Sequence, residues 1–133
     1  MEISATVTSS AAAHLASVRT GAVSQPLAVP AKSPGPGSAV NGGELLMLAL
    51  ATCYCNDLYR EAARLGIVVE GVRVQASAEF PGVGLAATNI RYRAHVTSAA
   101  GAEAIAQLLR ETDAVAEVHN TVRAGVPVEL LRP

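Results

Sequence analysis

The sequence predicts an α+β protein, and three observations support this. Segments with alternating polar and apolar residues occur both before and after one long helical segment. Strands and helices are grouped, not interleaved as in a parallel βαβ array, giving three strands, a long helix, two strands, helices and a strand. The hydrophobic share is 50% and the charged share 16%, which excludes a disordered chain. With 133 residues, we expect a single domain covering residues 1–133.

The first thirty residues are predicted to form three short strands. From Ile3 to Val7, apolar residues alternate with polar ones, which is typical of a half-buried strand. His14–Arg19 and Pro26–Val29 are the next two candidates, with a turn between them at Thr20-Gly21. The alanine run Ala11–Ala13 leaves open a short helix in this region.

The longest predicted element is a helix from Glu44 to Leu65. It follows a loop rich in proline and glycine, contains neither residue itself, and ends before Gly66, a typical stop. Its first half is apolar on nearly every face, so we expect that half to be the buried centre of the molecule. The second half is expected to face solvent or a partner through its polar residues: Asn56, Asp57, Arg60, Glu61 and Arg64.

The remainder of the chain alternates first as strands and then as helices. Val72–Phe80 and Ile90–Thr97 predict an antiparallel pair, with Arg91, Arg93 and His95 on its wet face. Gly101–Thr112 has helical apolar spacing. Asp113 is expected to cap a second short helix that ends at Gly125, and Val126–Leu130 to form a final edge strand, since it contains proline.

Composition excludes several function classes. Ten Lys and Arg against eleven Asp and Glu leave a net charge of -1, which predicts no nucleic-acid partner. The longest apolar stretch is far shorter than the ~20 residues of a membrane span, and the start lacks the positive region of a secretory signal. We therefore expect a soluble, cytoplasmic protein without membrane partners. Two cysteines do not form a secreted disulfide framework, and no cofactor is indicated.

The candidate reactive group is Cys53, with Cys55 two residues later in the same helix. Free cysteine most often packs as a small hydrophobe, and a reactive one requires a lowered pKa from a nearby cation, helix N-terminus or metal. Side chains two apart on a helix diverge by roughly 200°, so a disulfide between the two is not expected. The C-x-C spacing matches no common zinc pattern, so no metal site is expected.

Two charged residues are candidates for activating this thiol. Arg19 is the only arginine before the long helix. Glu44 is the nearest acidic residue before Cys53, but nine helical residues place it on the opposite face. Its alternative interpretation is a carboxylate that stabilises the helix N-terminus.

Three segments resemble the OsmC/Ohr family. Asn41–Cys53 (NGGELLMLALATC) is similar to its central helix, Leu65–Val74 to its passage from helix to strand, and Val118–Glu129 to its C-terminal signature. The resemblance implies an intertwined homodimer in which long central helices pack between antiparallel sheets. It also implies reduction of organic hydroperoxides: one cysteine attacks the peroxide to form a sulfenic acid, a second condenses with it, and a dithiol regenerates the enzyme.

Carried over by position, the resemblance makes Cys53 the attacking thiol, with Arg19 and Glu44 polarising it. Ala116 occupies the place of the family's second cysteine, so resolution is expected to require an external thiol. The leading hypothesis is thus a thiol-dependent peroxidase acting on organic hydroperoxides. The alternative is a non-catalytic homodimer that binds an apolar small molecule in the dimer crevice, and a third hypothesis is a stress-induced dimer with no small-molecule role.

Overall fold

The computed structural model describes residues 1–133 as five strands and three helices, which confirms the α+β class. The elements are β1 Ile3–Ser9, β2 His14–Thr20, β3 Val23–Leu27, α1 Gly42–Leu65, β4 Gly71–Glu79, β5 Thr88–Thr97, α2 Ala102–Val115 and α3 Glu117–Ala124. The chain divides into two units, residues 1–45 and 46–133, which are described in turn. That both form one domain stays a prediction.

Residues 1–45 contain an antiparallel sheet in the order β1-β2-β3. The Ala11–Ala13 run lies in the β1–β2 connection, where Ser10 Oγ accepts hydrogen bonds from the N–H groups of Ala12 and Ala13, so the helical alternative is wrong. β3 begins at Val23 instead of Pro26, because Gly21 turns the chain at φ 55° and lets Val23 pair directly with Thr20.

Residues 46–133 contain the core. β4 and β5 pair antiparallel, as predicted, from Gly71↔Thr97 to Glu79↔Thr88. Their inner face packs on a cluster of five buried side chains: Tyr54, Leu58, Ala62, Leu108 and Ala116. The first three come from α1 at helical spacing. Gly66 follows α1 at φ 69°, which confirms the predicted end of the helix.

The first half of α1 is largely exposed in the single chain, so its expected burial stays a prediction that depends on a partner. Leu50 is the one buried residue between Gly42 and Cys53, and Leu48 is 59% exposed. In the second half, by contrast, Asp57 and Glu61 are buried. The physical reason is that the sheet β4–β5 and α2 cover the second half, while arginines compensate its carboxylates. Arg60 Nη1 lies 2.9 Å from Asp57 Oδ1, and Arg64 Nε lies 2.6 Å from Glu61 Oε2.

The predicted cap of the last helix is also wrong. α2 continues through Asp113 to Val115, and Ala116 is the N-cap residue of α3, without a side-chain cap. The Asp113 carboxylate instead accepts hydrogen bonds from Tyr92 Oη and, at 2.6 Å, from an Arg123 nitrogen. Gly125 ends α3 in the left-handed region at φ 60°, as predicted.

The predicted final strand is absent from the single chain. Residues 126–133 pair with no strand, and Val128 and Leu130 are almost fully exposed. A strand forms only where a partner strand accepts and donates its backbone hydrogen bonds, and Pro127 has no N–H to offer. None of the three helices has the length and apolar character required to cross a lipid bilayer.

Candidate functional site at Cys53

Cys53 lies on α1, half-buried, where the helix meets the start of α3. The backbone N–H of Val118, in the first turn of α3, donates a hydrogen bond to the Cys53 sulfur and acts to lower the pKa of the thiol. First-turn N–H groups have no partner within their own helix, so they are free to bind such an acceptor. The sequence places the cysteine in the middle of one helix, and the fold brings it to the N-terminus of another.

Two carboxylates surround the same sulfur. The thiol donates to Asp57 Oδ2 at 3.5 Å, and the Glu117 carboxylate completes a group whose ligating atoms all lie within 4.8 Å of one another. Burial raises the pKa of Cys53, and the negative charges of Asp57 and Glu117 raise it further, so that the Val118 hydrogen bond is outweighed. The thiol is therefore protonated at neutral pH in this chain.

A single arginine compensates these carboxylates. Arg60 Nη1 lies 2.9 Å from Asp57 Oδ1 and 3.9 Å from Glu117 Oε1. The sulfur and the two carboxylates have the donor atoms to hold one divalent ion, but Arg60 already occupies the position that such an ion's charge would fill. The sequence pattern predicted that Asp57 faces solvent or a partner. The available signal was its spacing of four residues from Cys53, which places both on one side of a helix.

Ala116 lies beside this site. It is fully buried at the N-cap of α3, two residues before the Val118 N–H that binds Cys53. In the family resemblance, position 116 belongs to the second cysteine. This position is therefore two residues from Val118, whose N–H contacts Cys53. Cys55 is a free, half-buried thiol, and no disulfide links it to Cys53.

The other two predicted site residues lie in the unit of residues 1–45 and have local partners there. Arg19 is exposed on β2, and its Nε donates a hydrogen bond to Gly21 O at 2.6 Å. Glu44 Oε2 accepts from Asn41 N–H at 2.8 Å while Asn41 Oδ1 accepts from Glu44 N–H at 2.9 Å. This reciprocal pair caps the N-terminus of α1, in agreement with the alternative interpretation of Glu44. Their roles toward Cys53 stay predictions.

A buried histidine next to Val118 was not predicted as a site residue. His119 is 3% exposed, its two ring nitrogens have no hydrogen-bond partner, and its ring centroid lies 4.4 Å from that of Tyr92. Burial, with the charge of Arg123, lowers the pKa of His119. Burial and the Asp113 carboxylate raise the pKa of Tyr92 to about 12. These side chains border a small pocket of about 110 Å³, whose lining is Leu50, Ile90, Tyr92, His119, Val122 and Arg123.

Comparison with known proteins decides the family. Residues 35–131 match the sequence model of a protein family that is described as OsmC-like protein. The chain belongs to the OsmC-like family. Among curated protein sequences, none matches it.

Three solved structures share the fold of this OsmC-like chain. An OsmC-like protein from Mycoplasma pneumoniae superposes with a TM-score of 0.65 at 15% identity, covering 92% of this chain and 86% of that one. An OsmC-like protein of unknown function from Vibrio cholerae gives 0.64 at 16% identity, with coverages of 91% and 93%. An organic hydroperoxide resistance protein OsmC from Legionella pneumophila gives 0.60 at 20% identity, with coverages of 92% and 90%. At these identities the likeness establishes the fold.

Proposed function

We propose that this OsmC-like protein reduces organic hydroperoxides through Cys53 and that an external thiol completes the cycle. The observation that carries the proposal is the contact between the Cys53 sulfur and the Val118 N–H, with buried position 116 two residues away. This contact joins the attacking thiol to the segment that provides the second cysteine in the family pattern. The Legionella relative, described as an organic hydroperoxide resistance protein, supports the same substrate class.

In the proposed reaction the Cys53 sulfur attacks the outer oxygen of the hydroperoxide. The O–O bond breaks, the sulfur becomes a sulfenic acid, and the thiol proton leaves with the alkoxide as an alcohol. Because position 116 is alanine, no internal disulfide follows. Two equivalents of an external thiol reduce the sulfenic acid instead, giving water, an external disulfide and the regenerated thiol.

The activating cation in this proposal is Arg19, which polarises the thiol together with Glu44, as the family resemblance implies. Within residues 46–133 the nearest charges to Cys53 are carboxylates, and Arg60 is paired to them, so this unit by itself holds the thiol in its protonated form. A thiolate requires an additional positive charge. Arg19→Gln should therefore slow the reaction with peroxide and shift its pH profile upward, whereas Arg91→Gln, on β5, should change neither.

The decisive experiment is a thiol titration after exposure to cumene hydroperoxide. Wild type and Cys55→Ser should each lose one reactive thiol and form a sulfenic acid that dimedone labels, and Cys53→Ser should lose none. If Cys53 forms no sulfenic acid and no hydroperoxide is consumed in the presence of thiols, the proposal is wrong. Equal loss in both serine variants would instead implicate Cys55.

A gain-of-function variant tests the role of position 116 separately. Ala116→Cys should form a disulfide with Cys53 on addition of peroxide, seen as the loss of both thiols and a faster-migrating band on non-reducing gels. Ala124→Cys, which also adds one thiol on the same segment, is the control and should form no such bond. Failure of Ala116→Cys to crosslink would contradict the placement of the two positions.

The raised pKa of Cys53 favours a second candidate function. A protonated thiol suits a protein that binds an apolar small molecule without reacting with it. Leu50, one helical turn before Cys53, lines a small pocket together with Ile90 and Val122. Native mass spectrometry of protein isolated from cells distinguishes the two functions. A co-purified apolar ligand, together with an inert Cys53, supports the binding protein.

We also propose that the functional form is a homodimer. Large apolar side chains on the sheet β1–β3 remain exposed, between 47% and 70% for Ile3, Val7, Leu15, Val23 and Leu27. Each large apolar side chain left in water forgoes about 1.5–3 kcal/mol. A second copy would cover this surface and offer a strand edge to the unpaired segment 126–130.

A further inference from the structure

The hairpin β4–β5 has an unusual outer face. Its outward positions bring three arginines and a histidine together: Arg73 faces His95 across the strands, Gln75 faces Arg93, and Ser77 faces Arg91. Arg91 and Arg93 are two residues apart on one strand, so their Cα atoms lie about 7 Å apart. Six exposed residues form this cationic face: Arg73, Gln75, Ser77, Arg91, Arg93 and His95.

These arginines differ from those on the helices. Each arginine of α1, α2 and α3 lies within 4 Å of a carboxylate: Arg60, Arg64, Arg110 and Arg123. No carboxylate lies that close to Arg73, Arg91 or Arg93. The one acidic residue at the end of this face, Glu79, accepts a hydrogen bond from Asn89. Like charges clustered on neighbouring strand positions repel one another, so an anionic partner would relieve this repulsion.

The loop that joins the two strands is apolar and exposed. Residues 80–87 (FPGVGLAA) contain no charged side chain. Phe80 is 52% exposed, Leu85 is 61% exposed, and Val83 extends fully into solvent at the turn where Gly84 has φ 77°. A hairpin tip that presents three large apolar side chains to water gains free energy when it enters an apolar phase.

Contrary to the expectation from composition that the protein has no membrane partner, we propose that this hairpin docks it on an anionic membrane surface, with the cationic face against lipid headgroups and the loop 80–87 inserted at the headgroup–acyl boundary. A lipid surface is the partner that satisfies both features, because it offers anionic phosphates next to an apolar layer. A shallow groove of about 440 Å³ runs between Gln75, Ser77, Arg91 and Arg93, with room for a headgroup. Arginine suits this site because its planar guanidinium binds phosphate through two hydrogen bonds.

A nucleic acid fits the hairpin less well. The chain has a net charge of -1, the unpaired arginines of the sheet form one small patch, and the outward residues of that patch include no Phe, Tyr or Trp on which bases could stack. The apolar loop would also remain in water beside a nucleic acid. The membrane proposal is independent of the proposed peroxide chemistry, since no residue of the Cys53 site belongs to the cationic face or to the loop 80–87.

The test is sedimentation of the full chain with vesicles of phosphatidylcholine alone and of phosphatidylcholine mixed with phosphatidylserine. We expect binding to the mixed vesicles at low salt, weaker binding at high salt, and little binding to neutral vesicles. Each arginine near an anionic surface contributes about fivefold, so Arg91→Gln/Arg93→Gln should weaken binding more than tenfold. Arg110→Gln removes an exposed charge elsewhere and should leave binding unchanged.

Insertion of the loop has its own readout. The chain contains no tryptophan, so Phe80→Trp provides a single fluorescent reporter at the hairpin tip. Its emission should shift to shorter wavelength with mixed vesicles, and Val83→Ser/Leu85→Ser should reduce binding, whereas Val68→Ser, an exposed apolar control, should not. Absence of binding at low salt, an equal loss in Arg110→Gln, or an unshifted emission would each overturn the proposal. Binding of a single-stranded oligonucleotide in place of vesicles would also overturn it.

Discussion

The two halves of α1 behave in opposite ways. The half from Gly42 to Cys53 is the more apolar, yet only Leu50 is buried there, and Leu48 is largely exposed. The half from Tyr54 to Leu65 carries four charged residues, yet it supplies three of the five residues of the core cluster and buries Asp57 and Glu61. Burial in this chain is decided by what packs against a residue more than by its own polarity. The apolar half is therefore largely without cover in the single chain.

The largest effect on stability should follow from shortening a buried side chain in the covered half of α1, Tyr54–Leu65. Leu58 is completely buried, so Leu58→Ala should lower the free energy of unfolding by about 2–5 kcal/mol in denaturant titrations. Leu48→Ala removes the same atoms from the exposed half. If the chain were a monomer, its effect would lie within about 0.5 kcal/mol. A loss well above that value for Leu48→Ala would indicate that a second copy buries the exposed half.

Dimerisation would also affect the two halves of α1 differently. With dimerisation, the midpoint of unfolding should rise with protein concentration, and sedimentation should give twice the chain mass of 13.6 kDa. If a second copy covers the exposed half of α1, Leu48→Glu should shift the protein toward monomer, because it introduces a charge into that contact. Tyr59→Glu is the matched control on the covered half, where an exposed side chain is also replaced. A stable, folded 13.6 kDa monomer at micromolar concentration would contradict the proposed dimer.

Cys53 lies where the two halves meet, and a carboxylate of the covered half governs it. Asp57→Asn removes one of the negative charges that raise the pKa of the thiol. The pKa of Cys53 should therefore fall, and the rate at which iodoacetamide labels Cys53 at neutral pH should rise on the order of threefold to tenfold. Glu61→Gln removes a buried carboxylate one turn later that does not act on Cys53, and it should leave the rate unchanged. Equal rates in wild type and Asp57→Asn would show that the Asp57 charge does not control the thiol.

Local patterns were sufficient for part of this structure. The hairpin β4–β5 followed from strict alternation, and the end of α1 from Gly66, because both depend on residues adjacent in sequence. The burial of Asp57 depends on Arg60 and on the start of α3, which is sixty residues away in the chain. The pattern of Val126–Leu130 is that of a strand, but a strand also requires an edge to pair with, and the single chain offers it none.

At the site, residue type was easier to predict than environment. Cys53 stood out as the candidate nucleophile, and its position in the middle of α1 indicated that any activating group must come from another element. The fold supplies one such group, the Val118 N–H, but it also supplies two carboxylates that oppose ionisation. His119 gave no pattern beyond its place in the C-terminal signature, because its burial arises from packing between Tyr54 and Tyr92.

The smallest expected effect is on the pH dependence of stability and concerns His119, whose buried ring packs against Tyr54 of the covered half. Burial lowers the pKa of His119 below its ordinary value of 6.5, so the unfolded chain binds a proton at a higher pH than the folded chain does. The resulting stability is fully present above pH 6.5 and is lost as the pH falls toward the folded pKa. His119→Gln should flatten this part of the profile of unfolding free energy against pH. His95→Gln, which replaces an exposed histidine on β5, should leave the slope intact. If both variants keep the wild-type slope, another group causes the pH dependence, and the buried ring is not the one that binds the proton on unfolding.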